Sequence, residues 1–577
     1  MSTDTAAEPL SIDTAARALS ADTLCAAYQA TAAERPDQLA VRSHDGTVEL
    51  THAQLAARVR ALSAGFAALG LGHGDRVAVM LTNRPEFHLV DTAAMHLGAV
   101  PFSVYNTSAP AQIAHVLTDA APHIVVTERL FADAVKAAGV PAAHLVIVDG
   151  TEGDGTEGDS PGDGALSLGD VEAAGTADFD FDAAWSSVRP DDVLTLIYTS
   201  GTTGPPKGVE ITHAAMMAEI RGLHEVMPVT PGGRLISYLP SAHVADRWTS
   251  HYSGLMTWGL TVTTCPDPKA LIGLAAQLRP TFFGGVPRIW EKLKAALEVL
   301  FPGELAAGDP AGHQKIKEAI GLDQAEYFLT GAAPTPRDVQ DFFGRIGIPL
   351  LEGWGMSETS GFAVVNRPGE LRPGSVGRPL PGVEVRLADD GELLCRGAVV
   401  MRGYRNRPDL TAEAMDAGGW LRTGDVATID GDGYVTIVDR KKEMIINAAG
   451  KNMSPANIEN AIKAESPLIA HAVCVGDRRP YNVALIVLDP ETGRSPADPA
   501  TLAEVEAAVE RANARLSRVE QIKKFTVIAD DWAPGGDELT PTMKLKRKPI
   551  AARYGREIED LYQRGSRLET DRHAQER

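Results

Sequence analysis

A two-domain α/β protein is predicted, with a large N-terminal domain of α/β layers that includes a β-rich subdomain and a smaller α+β domain after it. Three observations point there. The 577 residues exceed what one hydrophobic core normally serves. Helix-period and strand-period segments alternate along most of the chain, as layered α/β architecture requires. Past Arg440 the pattern starts afresh with its own helices and strands over about 135 residues, the size of one domain. The expected division is residues 1–439 and 440–577.

From Thr23 to Val148 the alternation is plain, as in HAQLAARVRALSAGFAALG followed by DRVAVML. Between Gly150 and Asp159 the pentapeptide GTEGD occurs twice in tandem, followed by SPGDG. Acidic and without apolar anchors, it reads as a solvated surface loop, and it lacks the spacing of an EF-hand calcium loop. From Asp191 to about Arg386 α/β character returns. The β-branched run Val193 to Ile197 predicts a strand that empties into the loop Tyr198 to Gly208, with a helix starting near Thr212 and His213. A β-rich stretch follows, with GELLCRG (Gly391 to Gly397) and GYVTIVDR (Gly433 to Arg440). The turn Asp430 to Gly433, D-G-D-G, signals a hairpin. In the last unit Ser454-Pro455 reads as an N-cap with proline in the first turn, and Ile458 and Ile462 share a face. The strands HAVCV and VALIVL come next, then a helix with Leu502, Val505, Val509 and Leu516 on one stripe, then FTVIA.

Charge and cysteines narrow the partners. A net charge of −21 argues against nucleic acid, which favours a basic face. The one basic knot, Lys544-Leu545-Lys546-Arg547-Lys548, needs a local explanation. Four cysteines, Cys25, Cys265, Cys395 and Cys474, form no C-x-x-C pair, which fits a reducing compartment and supplies no metal site. The N-terminus lacks the basic start and apolar core of a signal peptide, and no run approaches the roughly 18 apolar residues of a membrane span. A cytoplasmic protein is expected, with peripheral membrane contact and oligomeric state left open.

The segment YTSGTTGPPKG, Tyr198 to Gly208, is the most informative. Glycines such as Gly201 and Gly204 let backbone N–H groups face an anion without Cβ obstruction. Thr199, Ser200, Thr202 and Thr203 add hydroxyls, and Lys207 adds a point charge. This is chemistry for polyphosphate, but not a Walker A loop, which needs G-x-x-x-x-G-K-[ST].

The segment resembles the phosphate-binding signature of the adenylate-forming superfamily, which comprises acyl-CoA synthetases, peptide-synthetase adenylation domains and luciferases. Further segments match in the expected order. LEGWGMSET (Leu351 to Thr359) resembles the adenine and magnesium motif. It implies that Trp354, with Gly355 beside it, stacks on adenine, that Thr359 meets the α-phosphate and that Glu358 holds Mg²⁺. A hard cation bridging phosphates does want a carboxylate oxygen. TGAAP, containing Gly331, Ala332 and Ala333, is similar to the loop covering adenine and bordering the acyl carboxylate. WLRTGD implies ribose binding by Asp425. DRKK, Asp439 to Lys442, resembles the interdomain crossover, with Arg440 at ribose or phosphate and Lys442 as hinge. LTPTMKLKRK aligns with the C-terminal catalytic-lysine motif. It places Lys544 in the active site, although Met543 stands where the family usually has glycine and Lys546 is the next candidate. His243, in YLPSAHVADRW, matches the histidine beside the acyl carboxylate. As metal ligands His243 and His251 lack a third partner.

The resemblance to long-chain acyl-CoA synthetases extends over nearly the whole chain. It includes GGVPRIWEKL, whose Gly285 borders the acyl pocket, and the stretch around Gly450, which would line a tunnel for coenzyme A. The implied reaction joins a long-chain fatty acid to coenzyme A through an acyl-adenylate, consuming ATP with Mg²⁺. Lys544, Lys207 and Glu358 stabilise charge, and the C-terminal domain is mobile about Lys442. Rivals are a fatty acyl-AMP ligase that loads a carrier protein and a non-catalytic nucleotide-binding regulator. A regulator would have shed Glu358, Asp425 or Lys544.

Overall fold

The computed structural model describes residues 13–139, 142–149, 164–199, 205–448, 451–540 and 543–563. The tandem GTEGD segment, Ser200 to Gly204 and Gly450 lie outside them. The architecture is mixed α/β, with a large N-terminal domain and a smaller C-terminal one.

Three sheets build most of the N-terminal domain. The largest has eight strands. In spatial order they are Gly403–Tyr404, Lys207–Thr212, Val193–Thr199, Val100–Ser103, Arg76–Met80, Ile124–Thr127, His144–Ile147 and Leu166–Ser167. Its central strands are parallel and apolar on both faces, as a sheet covered by helices must be. A second sheet runs Phe282–Gly285, Tyr327–Thr330, Leu350–Met356, Gly361–Val365 and Arg378–Pro379, the first three parallel and the rest antiparallel. A smaller one holds Arg234–Ser237, Thr261–Thr264, Leu39–Ser43 and Glu49–Thr51. One continuous core, including Phe66, Val79, Ile197, Met216, Leu255 and Val364, joins the layers.

The phosphate segment departs from expectation. The strand Val193–Thr199 does not pass through a loop straight into a helix. The chain returns as a second strand, Lys207–Thr212, antiparallel to the first, with Thr199 opposite Lys207. Only then does helix His213–Val226 begin, with the Thr212 side chain accepting from Ala215 N–H as its N-cap. Buried Val209 and Ile211 alternate with half-buried Glu210, a period-2 pattern that the flanking Pro206 and Gly208 hide.

The β-rich subdomain is the antiparallel sheet Val383–Leu387, Glu392–Gly397, Leu421–Ile429 and Val435–Arg440, with the D-G-D-G hairpin where expected. The C-terminal sheet, Ile469–Val475, Asn482–Leu488 and Ile522–Ile528, is covered on both faces. Ala472, Cys474, Ala484 and Ile486 meet Ile458 and Ile462 of helix Pro455–Lys463 and Val505 and Val509 of helix Pro499–Arg515. Val473, Leu485 and Val487, alternating with them, face Trp532, Ile550 and Ile558 on the other side. That alternation is the period of a strand. The stripe on Pro499–Arg515 runs through Thr501, Val505, Ala508, Val509 and Ala512, with Leu502 and Leu516 at its edge. Among the described residues no helix is long and apolar enough to cross a membrane, and all four cysteines are free and buried.

Candidate functional site

Parallel strands deliver their chemistry at their C-terminal ends, and the second sheet does so here. Gly285, Thr330 and Glu352 stand at matching positions on adjacent strands. The T-G-A-A-P loop therefore leaves the sheet beside the G-W-G-M-S-E-T segment. Gly331 is buried, and a Cβ there would sit 2.9 Å from Gly353 O. Ala332 and Ala333 are exposed on the loop's open side, and Ala332 holds φ +68°, a conformation costly for a residue with a side chain. The loop is braced from beneath. Thr335 N–H donates to Glu352 Oε1 at 2.8 Å, and Gln340 Nε2 donates to Glu352 Oε2 at 2.6 Å. Burial pushes the Glu352 carboxyl up to about 7 despite these donors. Gly285 packs against Trp290, whose indole N–H donates to Gly285 O at 3.3 Å.

Trp354 donates its indole N–H to Asp425 Oδ2 at 2.8 Å, while Arg440 Nε meets Asp425 Oδ1 at 2.9 Å. Asp425 and Arg440 are paired residues of neighbouring strands. Burial raises the Asp425 pKa, opposed by Arg440, Trp354 and Lys544. Each oxygen keeps a lone pair for another donor, such as a ribose hydroxyl. The next turn, Ser357–Thr359, is held from within. The Thr359 hydroxyl accepts from Met356 N–H at 2.9 Å and donates to Gly361 O at 2.9 Å. Ser360 follows at φ +60°. The Glu358 side chain accepts at Oε1 from the Tyr404 phenol at 2.7 Å.

Lys207 opens the second strand of the phosphate hairpin, and its Nζ lies 4.3 Å from the centre of the Tyr404 ring. Gly208 beside it leaves room for a neighbouring ring. A Cβ would approach the Tyr198 ring to 3.0 Å, and Tyr198 is fixed by donating to Asp119 at 2.8 Å.

The C-terminal domain closes this cleft. Lys544 ends a tight hairpin in which Thr540 N–H donates to Lys544 O at 2.8 Å and Lys544 N–H to Thr540 Oγ1 at 3.0 Å. Met543 takes φ +63°, the conformation a glycine would favour. Lys544 stays open to solvent because it lines a cleft, yet protein surrounds its ammonium on most sides. That burial, with Arg440, holds its pKa below the usual lysine value against Asp425, Glu443 and Glu358. His243 accepts at Nδ1 from Ala245 N–H at 3.1 Å, which leaves its proton on Nε2. Burial and then Lys544 push its pKa down to about 3, so the ring is neutral. Lys546 instead donates to Gly536 O at 2.7 Å, and Arg547 pairs with Glu443 and Glu459. The basic knot thus splits into three separate tasks.

Lys442 is exposed at the crossover. Its neighbour Lys441 pairs with Asp390 and Glu392, and Asp439 accepts from Ser454 Oγ at 2.5 Å and Ala456 N–H at 3.1 Å. Farther out Arg288 pairs with Asp489, Lys292 with Glu491 at 2.7 Å and Glu291 with Lys463 at 3.7 Å. His251 is held by Asp91 at 3.0 Å and His88 at 2.9 Å, away from His243. No group of three or more metal-type ligands occurs among the described residues. Tyr404 and Glu352 have no role in the sequence reading, since their partners are distant in the chain.

The chain matches the family described as AMP-binding enzyme over residues 28–405, and that described as AMP-binding enzyme C-terminal domain over residues 442–566. A Mycobacterium tuberculosis protein provisionally named fatty-acid–CoA ligase fadD11 is 46% identical over 450 residues, covering 69% of this chain and 79% of that protein. Long-chain-fatty-acid–CoA ligase FadD15 of the same organism is 34% identical, covering 89% and 92%. Among solved structures, an ATP-bound RpMatB-BxBclM chimera superposes with a TM-score of 0.74 at 26% identity, over 92% of this chain and 99% of that one.

Proposed function

The chain belongs to the AMP-binding, adenylate-forming enzyme family, and on that footing we propose that it activates a long-chain fatty acid with ATP and transfers the acyl group to coenzyme A, releasing AMP and pyrophosphate. The observation that carries this is the grouping of Lys207, Glu358, Trp354 and Asp425 from the large domain with Arg440 at the crossover and Lys544 from the small domain. The names of the relatives supply the fatty acid and the thiol.

A carboxylate is a poor electrophile because its leaving group would be oxide. Its attack on the α-phosphorus of ATP forms the acyl-adenylate and moves charge onto the departing pyrophosphate. Lys207 and Lys544 are the cations positioned to meet that charge, which is electrostatic catalysis. The neutral His243 offers its Nε2–H to the acyl oxygen. Asp425 takes the ribose hydroxyls with Arg440 beside it, and Trp354 with Gly355 faces the base opposite Gly331, Ala332 and Ala333. Glu358 fits Mg²⁺ because its buried carboxylate keeps Oε2 clear of hydrogen bonds from described residues, and a single carboxylate plus phosphates is the usual Mg²⁺ setting. When bound, the ion would neutralise phosphate charge. The remaining hydroxyls and glycines of the phosphate loop complete the cradle. The hydroxyl of Thr359 is already spent on its own turn, which leaves its main chain for the α-phosphate.

We place the domain boundary at 439/440, with Lys442 as hinge. Rotation there withdraws Lys544 and brings the stretch around Gly450 to the thiol. A cytoplasmic location accords with four free, buried cysteines. The test is incubation with MgATP and fatty acids of graded length, with and without coenzyme A. AMP and acyl-CoA are expected. ADP, or AMP release indifferent to any acid, contradicts the reading; acyl-adenylate that ignores coenzyme A moves the acceptor to a carrier protein.

A further inference from the structure

We propose that Tyr404 is a positioning residue that holds Lys207 and Glu358 apart and aimed at the same MgATP. The assignment rests on the ATP-dependent reading above and adds a residue to it. Tyr404 lies on the two-residue strand Gly403–Tyr404, whose antiparallel partner is the phosphate-hairpin strand Lys207–Thr212, with Tyr404 opposite Val209. Lys207, two residues before Val209, is its diagonal neighbour on the same face. The backbone is pinned, since Tyr404 N–H donates to Thr411 Oγ1 at 2.8 Å and the next residue, Arg405, donates to Gly208 O at 2.8 Å.

From that fixed place one side chain serves two opposite charges. The phenol donates to Glu358 Oε1 at 2.7 Å, and the ring face takes the Lys207 ammonium at 4.3 Å. Among the described residues Lys207 and Glu358 form no ion pair with each other. Left without Tyr404, the lysine and the carboxylate that flank it would be free to pair with one another. Both would then have to be separated before polyphosphate and its cation could bind. With Oε1 engaged, the carboxylate plane is set and Oε2 remains for a hard cation. With the ammonium held over the ring, the long lysine side chain loses rotamer freedom before the phosphates arrive. Burial and the Glu358 charge push the phenol pKa up, so Tyr404 stays a donor throughout the working range of pH.

The two contacts are separable. Tyr404→Phe keeps the ring and removes the hydroxyl; Tyr404→Leu removes both. ATP binding without any fatty acid, followed by titration calorimetry with and without Mg²⁺, reads them apart, and thermal melts report folding. For Tyr404→Phe the affinity for metal-free ATP is retained, while the tightening given by Mg²⁺ shrinks about tenfold, the scale of one charge-assisted hydrogen bond. Tyr404→Leu also loses affinity for metal-free ATP, by about threefold or more. A Phe variant with the full Mg²⁺ effect overturns the assignment even if the Leu variant does not fold, and so do Phe and Leu variants that bind alike. Wild-type protein that fails to bind ATP more tightly with Mg²⁺ sinks the ATP reading itself.

Discussion

Glu352 lies two residues before Trp354, with its two oxygens taken by Thr335 N–H and Gln340 Nε2. It touches no expected ligand, yet it sets the height of the T-G-A-A-P loop. Its carboxyl is pushed up to about 7 from an ordinary 4.5. Below about pH 4.5 the group is protonated in folded and unfolded chains alike. As pH rises toward 7 the unfolded chain ionises first, so stability is lost across that window and levels off above it, by about 3 kcal/mol in all. The melting temperature of the wild type measured against Glu352→Gln should therefore fall from pH 5 to pH 7 and then run parallel. A constant difference would show that Glu352 is already ionised. Sequence alone could nominate Trp354, Glu358, Asp425 and Arg440 because each sits in a contiguous motif. It could not read Glu352 as a brace, or Tyr404 at all. Tyr404 meets Glu358 across 46 positions, and a two-residue strand such as Gly403–Tyr404 is too short to show a periodicity.

Two hairpins carry the site's cations, and each solves a backbone problem. The one that turns into Lys207 favours Gly208, because a Cβ there would crowd the Tyr198 ring at 3.0 Å. The one ending at Lys544 has Met543 at φ +63°, where an L side chain costs about 1–2 kcal/mol. Glycine removes that strain but adds unfolded-state entropy of about 0.5–1 kcal/mol. Met543→Gly should then change stability by no more than about 1.5 kcal/mol and leave adenylation intact. Met543→Val, β-branched where positive φ is least tolerated, should move Lys544 and slow adenylation about ten- to hundredfold, with transfer from supplied acyl-adenylate preserved. Pyrophosphate-exchange and thioester assays on both variants check this, and a Val variant as fast as wild type would remove the turn from the account. The first hairpin was half legible. Its opening strand and the following helix were plain, but its return strand was not. A six-residue segment beginning Lys-Gly after Pro-Pro shows too little alternation to outweigh its breakers.

The molecule is held as two domains closed on one cleft. The Lys544 ammonium lies near enough to Asp425, Glu358 and His243 for charge to act between them, while Arg288, Glu291 and Lys292 of helix Pro287–Leu300 bind Asp489, Lys463 and Glu491. Partly exposed pairs of this kind are each worth about 0–1 kcal/mol, enough to favour closure and weak enough to release it. The restart of the pattern past Arg440 made the second domain legible. Its docking was not, because these pairs join residues some 170 to 200 positions apart, with no local signal in either segment. In the proposed mechanism Lys544 completes a site built by the other domain and serves only the first chemical step. Lys544→Ala tests it by measuring both half-reactions on one preparation. Acyl-adenylate formation should fall by about two to three orders of magnitude, while thioester formation from supplied acyl-adenylate and coenzyme A is retained. Equal loss in the two half-reactions would contradict the account.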